Sequence, residues 1–318
     1  MDHPVRWGIL STARINRLVI PGLHSSPETE LVAVASRDRA HAAEYAREWR
    51  IPRAHGSYEA LLEDEDVDAV YVSLPNGPHV EWSIKALEAG KHVLCEKPLT
   101  RDPREAERAF DTAESCGLLL MEAFMWRFHP QTRRLVALLD EIGPVTRIES
   151  SFGFTAPDGN VRLTRELDGG SLMDVGCYCV SAARLVAGEP VQAAGTQRLG
   201  GDGVDVHFEG RLVFPGGVEA TFECGLDMDD VDSLEVTGEN GSVFLDDPWH
   251  GHDPVLLTGG RKLREERADA YRAEVENLSR AIRGREEPLL GRADAVGQAR
   301  AIAALYRSAE TGEVASLP

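Results

Sequence analysis

The stretch Gly90-Lys91-His92-Val93-Leu94-Cys95-Glu96-Lys97-Pro98-Leu99 carries the reading of the fold. Its apolar run, Val93-Leu94-Cys95, has the unbroken hydrophobicity of a strand buried on both faces of a parallel sheet. The run ends abruptly in the charged pair Glu96-Lys97 and a proline. Charge set just past the carboxyl end of such a strand stands in the crevice where open α/β sheets bind their ligands. Lys97 is therefore the first candidate for a reactive group. Pro98 fixes the backbone beside it, with a cis bond available to the Lys97-Pro98 peptide. A solvated salt bridge at a strand end, without chemistry, is the plain alternative. Only four of the 34 basic residues are lysine (Lys85, Lys91, Lys97 and Lys262), which makes a lysine here hard to treat as surface decoration.

The chain leading to that strand alternates strand and helix with short connections. Val5 to Leu10 is an apolar strand, followed by the turn Ser11-Thr12-Ala13-Arg14-Ile15-Asn16 and an amphipathic helix to about Leu23. Leu31 to Ala35 is the second strand, with a helix after it to Trp49. A short strand at Arg53 to Gly56, a helical turn at Tyr58 to Leu62, a strand from Val67 to Val72 and a helix from His79 to Ala89 complete the approach. Leu118 to Met121 is the last strand of the set. This alternation means an α/β fold, a doubly wound parallel sheet of Rossmann type.

The turn after the first strand is where a dinucleotide fold carries Gly-x-Gly-x-x-Gly. Ser11, Ala13 and Asn16 hold the three glycine positions. A helix N-terminus there offers amide donors and a positive dipole end to a pyrophosphate. The second strand ends in Ser36-Arg37-Asp38. An acid at its end accepts the ribose 2′-hydroxyl of NAD, whereas an arginine meets the 2′-phosphate of NADP. Ser36 followed by Arg37 predicts NADP, with NAD the alternative; Asp38 can instead cap the next helix. The loop Leu74-Pro75-Asn76-Gly77-Pro78-His79 lies at the carboxyl edge of the sheet, where it can cap a nicotinamide. A helix cap would explain Asn76 but gives His79 no task.

At 318 residues, two domains are expected: 1–122, binding the dinucleotide, and 123–318, binding substrate and making oligomer contacts, with the terminal helices able to return to the first. No apolar run reaches the roughly 18 residues of a membrane span, and the opening residues lack the apolar stretch of a secretory signal. The expectation is a soluble, cytoplasmic protein. A net charge of -19 argues against nucleic acid or an anionic membrane as partner. Five cysteines, Cys95, Cys116, Cys177, Cys179 and Cys224, read as reduced thiols. No metal is expected: Cys177 and Cys179 point to different faces of a helix, His250 and His252 fall in a Gly/Pro/Asp-rich loop read as solvated, and no second pair completes a zinc site.

In the second half, Gln131 to Glu141 reads as a helix stopped by Gly143-Pro144, and Thr146 to Phe154 as a strand. Ala156 to Asp168 is a polar loop holding Arg162 and Arg165. Gly170 to Val186 is a helix, on which Asp174 and Tyr178, four apart, share a face. Apolar alternation near Val191 and over Val204–Phe214, Val218–Gly225, Leu234–Thr237 and Ser242–Leu245, broken by turn residues, predicts a large, mostly antiparallel sheet. Asp227 to Asp232 is read as a solvated acidic turn, and Arg267–Arg283 and Arg292–Glu310 as closing helices. The sheet has more apolar area than those helices can cover.

Pro75-Asn76-x-x-His79, the run from Ala86 to Pro98, and Trp126-Arg127-Phe128-His129-Pro130 together resemble the Gfo/Idh/MocA oxidoreductase family. Met121 to Pro130 and Met173 to Tyr178 resemble, within it, the dimeric dihydrodiol dehydrogenases and the NADP-dependent D-xylose 1-dehydrogenases. The likeness spans nearly the whole chain and is strongest from Val5 to Val180. The family has three glycines where this chain has Asp168-Gly169-Gly170.

The resemblance implies hydride transfer between NADP and a sugar or diol CH–OH group. It implies a cofactor site at Ser11, Thr12, Ala13, Arg14 and Ile15, at Ser36 and Arg37, at Leu74, Pro75, Asn76 and His79, at Glu96 and Lys97, and at Trp126 and Arg127. It puts Phe154, Arg162, Asp174 and Tyr178 on the substrate, with Lys97, Tyr178 and Asp174 catalytic, and one face of the second sheet in a homodimer or tetramer. A tyrosine with its ordinary pKa of about 10 is a poor base at neutral pH; a nearby ammonium stabilises the phenolate. Tyr178 would thus exchange the proton while Lys97 polarises the substrate oxygen. The expected reaction is oxidation of an aldopyranose such as D-xylose at C1 to the lactone. The rivals are an NADPH-dependent reductase of a keto-sugar of the 1,5-anhydrofructose type and a non-catalytic regulator that senses NADP. The presence of both Lys97 and Tyr178 speaks against the regulator.

Overall fold

A computed structural model describes residues 3–317, which form two compact units. The first comprises the chain up to Thr100, Arg104–Met125 and Asp269–Val296; the second comprises Arg101–Pro103, Trp126–Ala268 and the chain from Gly297 on.

The first unit is built on six strands: β1 Val5–Leu10, β2 Thr29–Ala35, β3 Arg53–His55, β4 Ala69–Val72, β5 His92–Glu96 and β6 Leu120–Ala123. They pair in the order β3-β2-β1-β4-β5-β6, every pair parallel. The helices α1 Asn16–Ser25, α2 Arg39–Trp49, α3 Tyr58–Leu62, α4 His79–Glu88 and α5 Pro103–Cys116 connect them. The order reverses between β1 and β4, the switch point where such sheets bind ligands. Trp7, Ile9, Val70, Tyr71, Val93 and Leu94 are fully buried, as strands covered on both faces require.

The second unit carries β7 Val145–Thr155, β8 Gln192–Leu199, β9 Asp205–Val213, β10 Glu219–Gly225, β11 Asp227–Gly238, β12 Gly241–Leu245, β13 Val255–Thr258, β14 Arg261–Arg264 and β15 Ala315–Ser316. Their order is β14-β13-β12-β11-β7-β10-β9-β8-β15, antiparallel except for the pair β7–β10. The helices α6 Pro130–Ile142 and α7 Cys177–Ala187 belong to this unit. Late in the chain, α8 Ala270–Ile282 belongs to the first unit, where Trp7 Nε1–H of β1 donates to Ser279 Oγ at 3.1 Å; α9 Arg292–Thr311 begins there and continues in the second.

Three sequence expectations change here. Asp227 to Asp232 is not a solvated turn. It is the bulged start of β11, and Asp232 pairs in register with Phe152 of β7. The apolar surface left open on the sheet is confined to its edges, at the exposed Leu199 and at Leu257 beside Phe244. Ile148, Phe152, Phe208, Leu212, Phe222 and Leu234 share the buried face. The intervening positions form polar rows, Glu235, Glu149, Thr221 and Arg211 in one and Ser233, Ser151, Glu223, Glu209 and Thr196 in the next. The third change is an unforeseen hairpin, β13–β14, turning through Gly259 and Gly260 at φ 53° and 73°, the left-handed pair a two-residue turn requires. No helix among the described residues is long and apolar enough to cross a membrane.

Candidate active site

The carboxyl edge of the parallel sheet gathers most of the residues assigned to a dinucleotide. Ser11 leaves β1 at φ 127°, a conformation that favours glycine. Hydrogen bonds hold it there. Its N–H donates to Ala35 O at 3.2 Å, its hydroxyl donates to Ser73 O at 2.9 Å and accepts from Ala13 N–H at 3.1 Å, and Asn16 Nδ2 donates to Ser11 O at 3.0 Å. Side-chain bonding thus holds a conformation that glycine would otherwise supply, directly before the N-terminus of α1. Thr12 Oγ1 meets His41 Nε2 at 3.0 Å; Arg14 is exposed and Ile15 half-buried. At the end of β2, Ser36 Oγ accepts from Asp38 N–H at 3.3 Å, and the Asp38 carboxylate caps α2 by accepting from His41 N–H at 2.9 Å. That cap engages the acid that follows the end of β2. Arg37 stays exposed, close enough to draw back the Tyr58 phenol, which burial pushes up.

Glu96 ends β5 and accepts the Tyr71 hydroxyl. Glu274 of α8 is 1 % exposed. Burial first, and then the Glu96 charge, hold it well above the usual carboxylate range. Lys97, half-buried, follows, and its bond to Pro98 is cis. Leu99 N–H donates to Glu122 Oε1 at 2.7 Å. The His79 ring is 1 % exposed and spans Pro98 O (2.9 Å, from Nδ1) and Leu74 O (2.8 Å, from Nε2). It braces the Leu74–Asn76 loop against the Lys97–Pro98 loop, and any hold it has on a cofactor acts through them.

In the second unit, the loop before α7 packs too tightly for side chains. A Cβ on Gly170 (φ 128°) would fall 2.2 Å from Asp205 Oδ1, and one on Gly169 2.2 Å from Arg162 O. Asp168, standing where the family has its first glycine, itself takes φ 55° and pairs with Arg101 at 2.6 Å; aspartate tolerates this conformation. Asp205, 2 % exposed, accepts from Ser171 Oγ–H and Leu172 N–H at 2.7 Å each and from the Tyr306 hydroxyl at 2.8 Å. It thereby anchors the segment Leu172–Gly176, which is π-helical and not the α-helix expected; such turns recur at functional sites.

Asp174 lies in that turn and pairs with Arg162 Nε at 2.7 Å, whose guanidinium stands 5.9 Å from the Phe154 ring. Tyr178, 8 % exposed, packs edge-on to Phe152 at 5.3 Å and 5.8 Å from Trp249. Trp249 in turn meets Trp126 edge-on at 5.5 Å. Arg127 stands 5.7 Å from the Trp126 ring, and the buried Trp126 Nε1–H has no acceptor among the described residues, an orphan donor of the kind a bound ligand satisfies. Arg162, Phe154 and Asp174 form one cluster and Tyr178 packs in another with Phe152 and Trp249, while Lys97 belongs to the first unit and Tyr178 to the second. Sequence reasoning missed Trp249, Asp205, Asp232 and His250. An aromatic beside two histidines in a loop was the one signal for Trp249, and nothing local marked the two acids.

Residues 5–124 match the oxidoreductase family with an NAD-binding Rossmann fold, and residues 131–244 match the GFO/IDH/MocA C-terminal domain. The chain is 44% identical to a D-xylose 1-dehydrogenase (NADP(+)) of Haloferax volcanii, over 98% of this chain and 99% of that one. It is 34% identical to a trans-1,2-dihydrobenzene-1,2-diol dehydrogenase of Sus scrofa, over 81% and 79%. Among solved structures, a 3-ketoreductase from Actinomadura kijaniata in complex with NADP and TDP-benzene superposes with a TM-score of 0.90 at 33% identity, covering 96% of this chain and 98% of that one. Reaching from the dinucleotide turn through the second sheet, these matches make the chain a member of the Gfo/Idh/MocA oxidoreductase family.

Proposed function

We propose that this protein is an NADP-dependent dehydrogenase that oxidises the C1 hydroxyl of an aldopyranose, D-xylose first among candidates, to the lactone. The carrying observation is the end-to-end likeness to the D-xylose 1-dehydrogenase. NADP, and not NAD, is favoured because Asp38 is committed to its helix cap while Arg37 is exposed beside it. When bound, the nicotinamide supplies the hydride acceptor. Tyr178, as the phenolate that the Lys97 ammonium stabilises, takes the substrate's hydroxyl proton and becomes the phenol, while Lys97 also polarises the reacting oxygen. Asp174, oriented by Arg162, holds the sugar's other hydroxyls. The rings of Phe152, Phe154 and Trp249 exclude water from that side, which strengthens each of these charge interactions.

A keto-sugar reductase is the second reading, favoured by the likeness to the 3-ketoreductase. We place the protein in the cytoplasm, with a small sugar or diol as its partner and neither nucleic acid nor membrane. We also read it as a homodimer or tetramer through the open face of the nine-stranded sheet. Since polar and charged rows run along that face beside Phe244 and the exposed Leu257, its contact would combine hydrogen bonds and ion pairs with an apolar edge. A panel of aldoses, diols and keto-sugars with NADP or NADPH, followed at the NADPH absorbance, tests the reaction. D-xylose should drive NADPH formation. Consumption of NADPH with ketoses and no aldose oxidation would establish the second reading, and silence in both directions would sink both.

A further inference from the structure

Asp232 is an acid on the buried face of the sheet. Its register partner is Phe152, its neighbour along that face of β11 is the fully buried Leu234, and it is itself mostly buried. An acid in such a place needs a reason, because burying a carboxylate is costly unless it is paired. Its partner is His250, whose Nδ1 lies 2.9 Å from Asp232 Oδ2. The His250 ring meets Phe152 edge-on at 5.5 Å, and Tyr178 meets the same ring at 5.3 Å. His250 therefore stands in the cluster that holds the phenol, on a loop expected to be merely solvated.

That loop is preorganised. The Asp247 carboxylate accepts the backbone N–H groups of His250 (3.2 Å), Gly251 (3.1 Å), His252 (2.5 Å) and Asp253 (3.3 Å). Gln131 Nε2 donates to Asp247 O at 2.7 Å and Pro248 O at 3.0 Å. Asp247, His250 and His252 bring potential metal ligands within 4.8 Å of one another, but the four amides already engage the carboxylate. The arrangement is that of an aimed imidazole: a carboxylate on Nδ1 fixes the orientation of the ring and turns Nε2 away from Asp232.

We propose that the Asp232–His250 pair determines specificity in the dehydrogenase reaction: His250, held by Asp232, hydrogen-bonds a sugar hydroxyl other than the one oxidised. The proposal rests on the sugar-dehydrogenase reading. It makes His250 a substrate-contacting residue and Asp232 its positioning residue.

The test compares wild type, His250→Phe, which keeps an aromatic ring against Phe152, and Asp232→Asn. Each is assayed with NADP on D-xylose and on its 2-, 3- and 4-deoxy analogues, with sugar binding followed separately by tryptophan fluorescence. His250→Phe should lower kcat/KM for D-xylose roughly tenfold, mostly through KM, the size of one lost hydrogen bond. It should leave one deoxy analogue unaffected, so that wild type's preference over that analogue collapses. Asp232→Asn should move the same way by less. Equal losses on all four sugars, or unfolding of both variants accompanied by unchanged discrimination in His250→Gln, would overturn the proposal while leaving the dehydrogenase reading intact. No turnover and no sugar binding by wild type would overturn both.

Discussion

Replacing Tyr178 with phenylalanine removes a single oxygen and leaves the ring where it packs. The edge-on contact with Phe152 at 5.3 Å and the contact with Trp249 at 5.8 Å involve ring atoms that phenylalanine keeps. The folding cost should therefore be about 1 kcal/mol or less, the net worth of one hydroxyl's hydrogen bonding. The catalytic cost should be far larger. Losing a positioned proton-transfer group removes roughly two to four orders of magnitude in kcat, or about 3–5 kcal/mol of barrier at 1.36 kcal/mol per decade. Activity is read as NADPH formation with the active sugar, stability by urea denaturation, and nucleotide binding by fluorescence. The first should collapse while the other two hold. Lys97→Ala should cost a similar amount, and the double variant little more, because residues that act as a unit fail together. If Tyr178→Phe turns over within about threefold of wild type, the proton leaves by another route and the assignment of the phenol is wrong.

Arg37→Ala should raise KM for NADP far more than for NAD, and the difference should shrink with added salt; equal effects on both would remove Arg37 from the 2′-phosphate. Asp205→Ala strands the Ser171, Leu172 and Tyr306 donors and should cost at least about 3 kcal/mol in urea denaturation, taking the lower figure of about 1 kcal/mol per buried donor; a loss under about 1 kcal/mol would mean the anchor is idle. His92 and His129 should make the fold acid-sensitive. Each Nδ1 accepts a backbone N–H, from Leu119 at 3.0 Å and Gln131 at 3.2 Å, and burial lowers both pKa values below 6.5. The unfolded chain therefore binds protons first, and their contribution to stability, complete above about pH 6.5, should fall as pH drops from there toward the folded pKa values. A flat Tm between pH 5 and 7 would contradict this, and His92→Asn should flatten part of the slope.

What could be read locally was read from local physics. The alternation of short apolar strands with amphipathic helices depends on neighbours in sequence, so β1 to β6 and their order class followed from the chain itself. Lys97 was visible because a charge at the end of a buried strand stands out against what precedes it. Asp174 and Tyr178 are four apart, a spacing that keeps two residues on one face at either helical pitch, so the π turn does not separate their faces. The dinucleotide turn was found by position without its glycines, but that Ser11 holds φ 127° depends on Asn16 and on Ser73, which lies just past the end of β4.

Register and coverage decided the rest. Asp227-Met228-Asp229-Asp230-Val231-Asp232 has no alternation because a bulge breaks its pairing between Asp227 and Val231. Read alone it is an acidic turn, and only the partner strand β7 turns Asp232 inward beside Phe152. The same holds for the open face of the sheet: alternation shows that a strand has two faces, but which one meets helices and which meets solvent is set by the elements packed on it. His250 looked solvated because its own loop is polar, and it becomes part of the Tyr178 cluster because Asp232, 18 positions away in sequence, reaches it across the sheet. Pairing between distant strands is the information a single strand's side chains do not contain, since the two-residue period leaves both faces open until a neighbour covers one.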